Sequence, residues 1–219
     1  MDADTTRQVA DLLGTGFGRD GRPLLVCDVD EVVLHLVAPF ERVLHERGYE
    51  LRSRSFRLTG NIFERATGRE ATQGDVWAAL TQLFEEQERR QHLVEGVDEG
   101  LAAVADVAEI VFLTNMPHAF AKHRRAHLSA HGLHYPLLTN TGTKATGIAA
   151  LKDGRERVGF VDDTPTNLQL VRDAHPDVHL FHFMADDAFR ALAEPIDGVS
   201  ISTGDWKEAG RHIAERLGA

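Results

Sequence analysis

The sequence predicts an α/β protein: a Rossmann-like parallel sheet flanked by helices, with an inserted and mainly helical cap. Two patterns and one length carry that prediction. Three short apolar runs, Leu24-Leu25-Val26-Cys27, Glu109-Ile110-Val111-Phe112-Leu113 and Arg157-Val158-Gly159-Phe160-Val161, alternate with segments of helical periodicity, the pattern of strands joined by crossover helices. The runs are apolar almost throughout, as expected of strands covered on both faces. Between the first two lie residues 35–100, more than one crossover needs. These are assigned to the cap, and residues 1–34 and 101–219 to the core domain.

Along the chain, Val9, Leu12 and Leu13 mark a short helix over 5–14, closed by Gly14. Gly14-Thr15-Gly16-Phe17-Gly18 precedes the first strand instead of following it, so it reads as a loop and not a dinucleotide-binding turn. Val32-Val33-Leu34 continues extended, and a helix follows over 39–48, from Pro39 to Gly48. Residues 50–59 read as a strand or hairpin. Val76, Leu80, Leu83 and Phe84 place one long amphipathic helix from Thr72 to His92, and another covers 96–106. Pro117 opens a helix that runs to His131; Lys144 to Leu151 is helical, and Pro165 starts the next helix. Val178 to Phe183 forms a fourth strand, Ile201 to Thr203 a last short one, and Asp205 to Leu217 the final helix.

With 219 residues, 42% hydrophobic and 26% charged, the chain has a soluble globular composition and can bury a substantial core. A formal net charge of −10 argues against nucleic acid or an anionic membrane as partner. No apolar stretch approaches the roughly 18 residues of a membrane span, and Met1-Asp2-Ala3-Asp4 is unlike a secretion or transit signal. Cys27, the one cysteine, cannot form an internal disulfide and reads as a small buried residue. A cytoplasmic location is expected, and oligomeric state is left open.

The chemistry collects at the strand ends. Asp28-Val29-Asp30 closes the first run, Thr114-Asn115 the second and Asp162-Asp163 the third. In such sheets the ligand crevice lies beyond the carboxyl ends of the strands, so neighbouring strands would bring these groups together. Two carboxylates a few ångströms apart at a sheet rim repel unless a cation, a shared proton or a basic side chain compensates. The pattern asks for a divalent metal.

Four short motifs, in order, resemble those of the haloacid dehalogenase superfamily hydrolases of the phosphatase type. They are Leu25-Val26-Cys27-Asp28-Val29-Asp30-Glu31-Val32, then Ile110-Val111-Phe112-Leu113-Thr114-Asn115, then Lys144 in Gly142-Thr143-Lys144-Ala145, and last Gly159-Phe160-Val161-Asp162-Asp163. The resemblance implies a Mg²⁺-dependent phosphatase acting on a small phosphorylated metabolite. A phosphate monoester dianion repels an anionic nucleophile, so catalysis needs positive charge on the phosphoryl oxygens and a fixed in-line attack. Asp28 would be the nucleophile, forming an aspartyl-phosphate. Asp30 would protonate the leaving alkoxide and later take a proton from water, and its backbone carbonyl is a metal ligand in similar proteins. Thr114 and the Asn115 backbone N–H would bind the phosphoryl group, while Lys144 holds nucleophile and phosphate together. Asp163 would ligate the metal directly, with Asp162 acting through water or from further out. The alternatives are a phosphotransferase or phosphomutase of the same superfamily and a catalytically silent ligand-binding member.

Plainer readings compete. Asp28 and Asp30 can be turn residues, Thr114 a helix N-cap before Pro117, Lys144 a solvated lysine, and Asp162 and Asp163 caps for the Pro165 helix; Asn167 is read as serving that helix. Where many superfamily members carry Gly and Thr after the second aspartate, this chain has Glu31 and Val32, and Glu31 is expected to point outwards. In the cap, Arg52 and Arg54 share one strand face and Arg57 lies on the other; they are read as solvated or ion-paired, and Phe56, Phe63 and Trp77 as cap core. His123, His127 and His131 recur every four residues, but Arg124 and Arg125 stand beside them, so an ordinary helix face is expected in place of a metal site.

Overall fold

Alternate side chains of an extended chain face opposite ways, and the run Leu24–Cys27 finds an apolar layer on each side. In the structure, a computed structural model, residues 1–52, 55 and 60–219 are described. Helix α1 (Ala3–Gly14) leads into strand β1 (Leu24–Cys27). An insertion follows with α2 (Val37–Glu46), β2 (Tyr49–Leu51), β3 (Ile62–Glu64), α3 (Gln73–Glu85) and α4 (Gln87–Arg90). Then come α5 (Val97–Ala105), β4 (Glu109–Asn115), a 3₁₀ turn (His118–Phe120), α6 (Ala121–Ala130), β5 (Leu137–Asn140) and α7 (Lys144–Leu151). The chain finishes with β6 (Val158–Asp162), α8 (Pro165–Ala174), β7 (His179–Phe183), α9 (Asp187–Arg190), β8 (Val199–Thr203) and α10 (Trp206–Gly218).

Six strands form one sheet in the order β5-β4-β1-β6-β7-β8, parallel at every pairing. Leu25 and Cys27 pack with Phe112, Phe181, Leu101 of α5 and Ile213 of α10 on one face. Leu24 and Val26 pack with Val9, Ile148, Leu168 and Val171 of α1, α7 and α8 on the other. Helices α5 and α10 cross where Gly100 meets Gly210: a Cβ on Gly210 would come within 2.6 Å of the Gly100 Cα. The close crossing brings Trp206 fully inside, and its Nε1 donates to Val32 O at 2.7 Å. That bond pins the loop carrying the acidic residues after β1.

The insertion has its own apolar cluster, in which Phe40, Val43 and Leu44 of α2 meet Ile62, Ala79 and Leu83. Its two connecting segments pair with each other: His35 N donates to His92 O at 3.0 Å and Val94 N to Val33 O at 2.9 Å. Among the described residues, no helix is long and apolar enough to cross a membrane.

Several local expectations change. Val32 and Val33 do not continue the strand; Val33 N and Leu34 N both donate to Val29 O, a tight turn. The helix from Thr72 breaks at Glu86, giving α3 and α4, because Gln87 and Gln91 turn inwards and are 1% and 0% exposed. Of residues 50–59, Glu50 and Leu51 lie in β2, which pairs antiparallel with β3; Arg54, Phe56 and Arg57 lie outside the described residues. Trp77 is not cap core: it is 53% exposed. Pro117 is followed by a 3₁₀ turn before α6 begins at Ala121. Strand β5 and helix α9 have no counterpart in the sequence reading: β5 offers only the apolar pair Leu137-Leu138 before Thr139-Asn140, and α9 is a single four-residue turn.

Candidate active site

Strand β1 ends one residue before Asp28, whose N–H still donates to Val161 O at 3.0 Å. Neighbouring β4 ends in Thr114-Asn115 and β6 in Asp162, so parallel pairing brings all three strand ends to one rim. The fourth contribution is Lys144, the first residue of α7, behind the N-cap Thr143 that accepts from Ala145 N. Lys144 is 1% exposed, not solvated; its Nζ lies 2.5 Å from Asp28 Oδ1 and 2.7 Å from Asp162 Oδ2. Burial works against its charge, but Asp162 and Asp28 together hold its pKa above the ordinary lysine value.

The carboxylates outnumber this cation. Oxygens of Asp28, Asp162 and Asp163 all lie within 4.8 Å of one another. Burial, with Asp162 and Asp30 adding to it against the pull of Lys144, pushes Asp28 up to about 7. Asp163 is raised as well, by burial and then by Asp162 and Asp28. The buried Asp28 Oδ1 is met by the Lys144 ammonium, which Asp162 also engages. Asp162 is fully engaged: Oδ2 meets Lys144, and Oδ1 accepts from Thr164 N and Asn167 Nδ2, both at 2.9 Å. Asp163 accepts only from Thr164 Oγ1, at 3.0 Å, among the described contacts of its carboxylate. Its main-chain oxygen faces His182 Nε2 at 2.9 Å. Hard oxygen donors with spare lone pairs and an excess of negative charge fit a Mg²⁺-like cation.

Asp30 belongs to a different network. Its Oδ1 lies 3.0 Å from Arg124 Nη1 and accepts from Gln91 Nε2 at 2.9 Å. Its Oδ2 accepts from Thr114 Oγ1 at 3.4 Å. Arg124 is 0% exposed and is gripped from behind by Gln87 Oε1 at 2.5 Å and Gln91 Oε1 at 3.1 Å. Thr114 therefore faces Asp30 and caps no helix; the Asn115 side chain accepts from Asn140 at 2.8 Å. Asp28, Asp30, Thr114, Asn115, Lys144 and Asp163 all line one cavity of ≈ 530 Å³, while Asp162 lies beneath it.

Glu31 does not point outwards. It is 1% exposed, and its Oε2 accepts from Leu36 N and Val37 N, both at 2.7 Å, capping α2. Its φ of 63° is the left-handed conformation that glycine would adopt freely, so the departure from the superfamily pattern keeps the turn and adds a cap.

No protein-family model and no curated protein sequence matches the chain. Solved structures do. A HAD hydrolase, family IA, variant 3, from Entamoeba histolytica superposes at a TM-score of 0.63 with 11% identity, covering 90% of this chain and 99% of that one. A HAD family hydrolase from Deinococcus radiodurans, with bound phosphate and sodium, gives 0.58 and 16% over 90% and 96% of the two chains. A predicted phosphoglycolate phosphatase from Haemophilus somnus gives 0.57 and 16% over 86% and 96%. The chain has the haloacid dehalogenase-like fold.

Within this haloacid dehalogenase-like fold, the sequence reading finds the rim but misses what stands behind it. Gln87, Gln91 and Arg124 belong to the site through Asp30. One signal was available: the polar pair at 87 and 91, spaced four apart, sits on the predicted cap helix where apolar residues were expected. Arg124 carries no such signal among the basic residues of α6. Within the insertion, Arg52 bonds Glu50 Oε1 at 2.6 Å and lies 4.4 Å over the Phe63 ring. His127 is buried at 5.1 Å from His131, and burial lowers it to about 4. Lys152, at the far end of α7, pairs with Asp177 at 2.7 Å.

Proposed function

We propose that this protein is a Mg²⁺-dependent phosphatase that hydrolyses a small phosphate monoester through an aspartyl-phosphate on Asp28, with residues 35–100 serving as its cap. One observation carries the reading: three carboxylates crowd together, two of them on a single buried lysine, at the floor of a cavity that Asp30 and Thr114 also face. One ammonium does not balance three clustered acids, and such an excess of buried negative charge favours a further cation. Asp28, Asp163 and the Asp30 main-chain carbonyl would hold the metal, with Asp162 behind them. A divalent cation bound there would supply the positive charge that lets an anion approach a phosphate dianion.

The chain's own groups do the rest. A free Asp28 oxygen attacks phosphorus as the bond from phosphorus to the ester oxygen breaks. Asp30 gives the departing alkoxide a proton. Lys144 holds Asp28 in place and offers charge to the phosphoryl oxygens, and the Thr114 hydroxyl donates to one of them. Water then attacks phosphorus and Asp30 takes its proton; the bond to Asp28 breaks and phosphate leaves. Asp162 acts through Lys144 and the start of α8, which it ties together.

A screen of phosphorylated metabolites with Mg²⁺ tests this. Phosphate release is expected from at least one ester, and both a chelator and Asp28→Asn should abolish it. Turnover that survives Asp28→Asn would remove the mechanism.

A further inference from the structure

The cavity is divided by chemistry. Its floor is polar, built from the strand ends and the start of α8: Asp28, Thr114, Lys144, Asp163, Thr164 and Asn167. The apolar part of its lining is Leu36 and Val37 from the start of α2, Leu80 and Phe84 from α3, and Met184 and Phe189 from the α9 side. We infer that the ester this site takes carries an apolar leaving group, an alkyl or aryl alcohol with no second anion. The inference rests on the phosphatase reading and names its substrate class.

Two arguments support it. Among the described lining residues the sole cationic side chain is Lys144, and its ammonium is already committed to Asp28 and Asp162. Among the described residues, a second phosphate or carboxylate on the substrate would find no free cationic partner there. Arg124 does not serve either, because it lies fully buried behind Asp30 and its fork is taken by Asp30, Gln87 and Gln91. Second, each sugar hydroxyl placed against the apolar wall would give up water without a replacement, which disfavours a polyol. A hydrocarbon placed there gains from every ångström squared it buries. Phe84 itself is held against Phe120, with ring centroids 5.8 Å apart, so the wall is braced and not free to turn aside.

The test separates this inference from the phosphatase reading. Hexyl phosphate, benzyl phosphate, glucose 6-phosphate and glycerol 3-phosphate are all esters of primary alcohols, so differences in kcat/KM report the pocket more than the leaving-group chemistry. With Mg²⁺ the first two should exceed the last two at least tenfold. Leu80→Asn, at a half-buried position, and Phe84→Ala should each shrink that ratio several-fold; a circular dichroism spectrum checks that the variants fold. In parallel, calorimetry with hexylphosphonate and 3-phosphonopropionate reads the pocket without any turnover. Hexylphosphonate should bind at least tenfold tighter. Preference for glycerol 3-phosphate or glucose 6-phosphate, or tighter binding of 3-phosphonopropionate, would overturn the apolar assignment. If no ester is hydrolysed while hexylphosphonate still wins, the phosphatase reading falls and the pocket assignment stands.

Discussion

Asp28 and Asp30 stand two residues apart, and the molecule treats them in opposite ways. Asp28 shares one ammonium with Asp162, and Asp163 adds a third carboxylate within 4.8 Å, so one positive charge answers three negative ones. Asp30 has the guanidinium of Arg124 to itself, with an amide from Gln91 beside it. The difference lies in charge balance more than in the number of acids. A balanced pair is complete, whereas an overcrowded cluster raises its own proton affinity, as Asp28 shows, or takes up a cation. The choice of cation follows the same division. Lysine offers a compact charge that two acids can flank, while the arginine fork can be bound on one edge by Asp30 and on others by two glutamines.

The largest effect should come from removing the shared cation. Lys144→Met leaves Asp28 and Asp162 buried without their partner, and breaking a buried pair of this kind costs about 3–5 kcal/mol. Urea unfolding would show the loss, and millimolar Mg²⁺ should restore part of it, because a divalent cation answers the same charge. A variant as stable as the parent in the presence of chelator would refute the account of the cluster. Arg124→Met comes next, at about 2–3 kcal/mol, because Asp30 keeps 12% side-chain exposure and water softens the loss. In the phosphatase reading Arg124 positions Asp30 without touching substrate, so kcat should drop at least tenfold with KM little changed. Arg124→Lys should recover part of kcat but not all, since an ammonium cannot hold Asp30, Gln87 and Gln91 in one plane.

What the sequence made legible divides along the same line. Asp28, Thr114, Asp162 and Asp163 were readable because each ends an apolar strand, and parallel strands must deliver their ends to one rim. Lys144 was readable only through its motif, since nothing in a helix-start lysine announces burial. The buried Arg124 was invisible for a related reason. Its partners come from α4, in the insertion, and from the loop after β1, so the pairing is a tertiary fact with no local period. Glu31 was misread because a carboxylate after two aspartates looks solvent-bound, and its helix-capping bonds reach residues five and six positions on. The parallel sheet was legible almost entirely; edge strand β5 was not, having only two apolar residues, Leu137 and Leu138, between Pro136 and Thr139.

A third test asks whether Arg124 stands alone in its charge. One turn on, α6 buries His127, which faces Arg124, His131, His92 and Asp30 and whose Nε2 lacks a hydrogen bond. Burial first, then His131 and Arg124, hold it at about 4 against 6.5 when free. The unfolded chain therefore binds the proton more readily between these values, and stability is lost as pH falls from 6.5 towards 4, by at most roughly 3.5 kcal/mol. His127→Gln should flatten that part of the urea-midpoint profile. An unchanged slope would mean that His127 takes up its proton as readily folded as unfolded, so that below pH 6.5 Asp30 has two cations near it.

The smallest expected effect concerns the third acid of the stretch, Glu31, which is answered neither by lysine nor by arginine but by two amides at the start of α2. Helix N-termini attract negative charge, and losing such a cap costs about 1–2 kcal/mol. Backbone strain works against it, since a side chain at φ 63° costs roughly 1 kcal/mol that glycine avoids. Two substitutions separate these contributions. Glu31→Ala loses the cap and keeps the strain, so it should destabilise by about 1–2 kcal/mol; Glu31→Gly loses both, and should lie closer to the parent by about 1 kcal/mol. Equal urea midpoints for the two variants would show that the turn stores no strain, and that a glycine at this position is replaceable at no backbone cost. A Glu31→Ala variant as stable as the parent would show that the amides of Leu36 and Val37 are equally well served by water, leaving Asp28 and Asp30 as the acids whose partners matter.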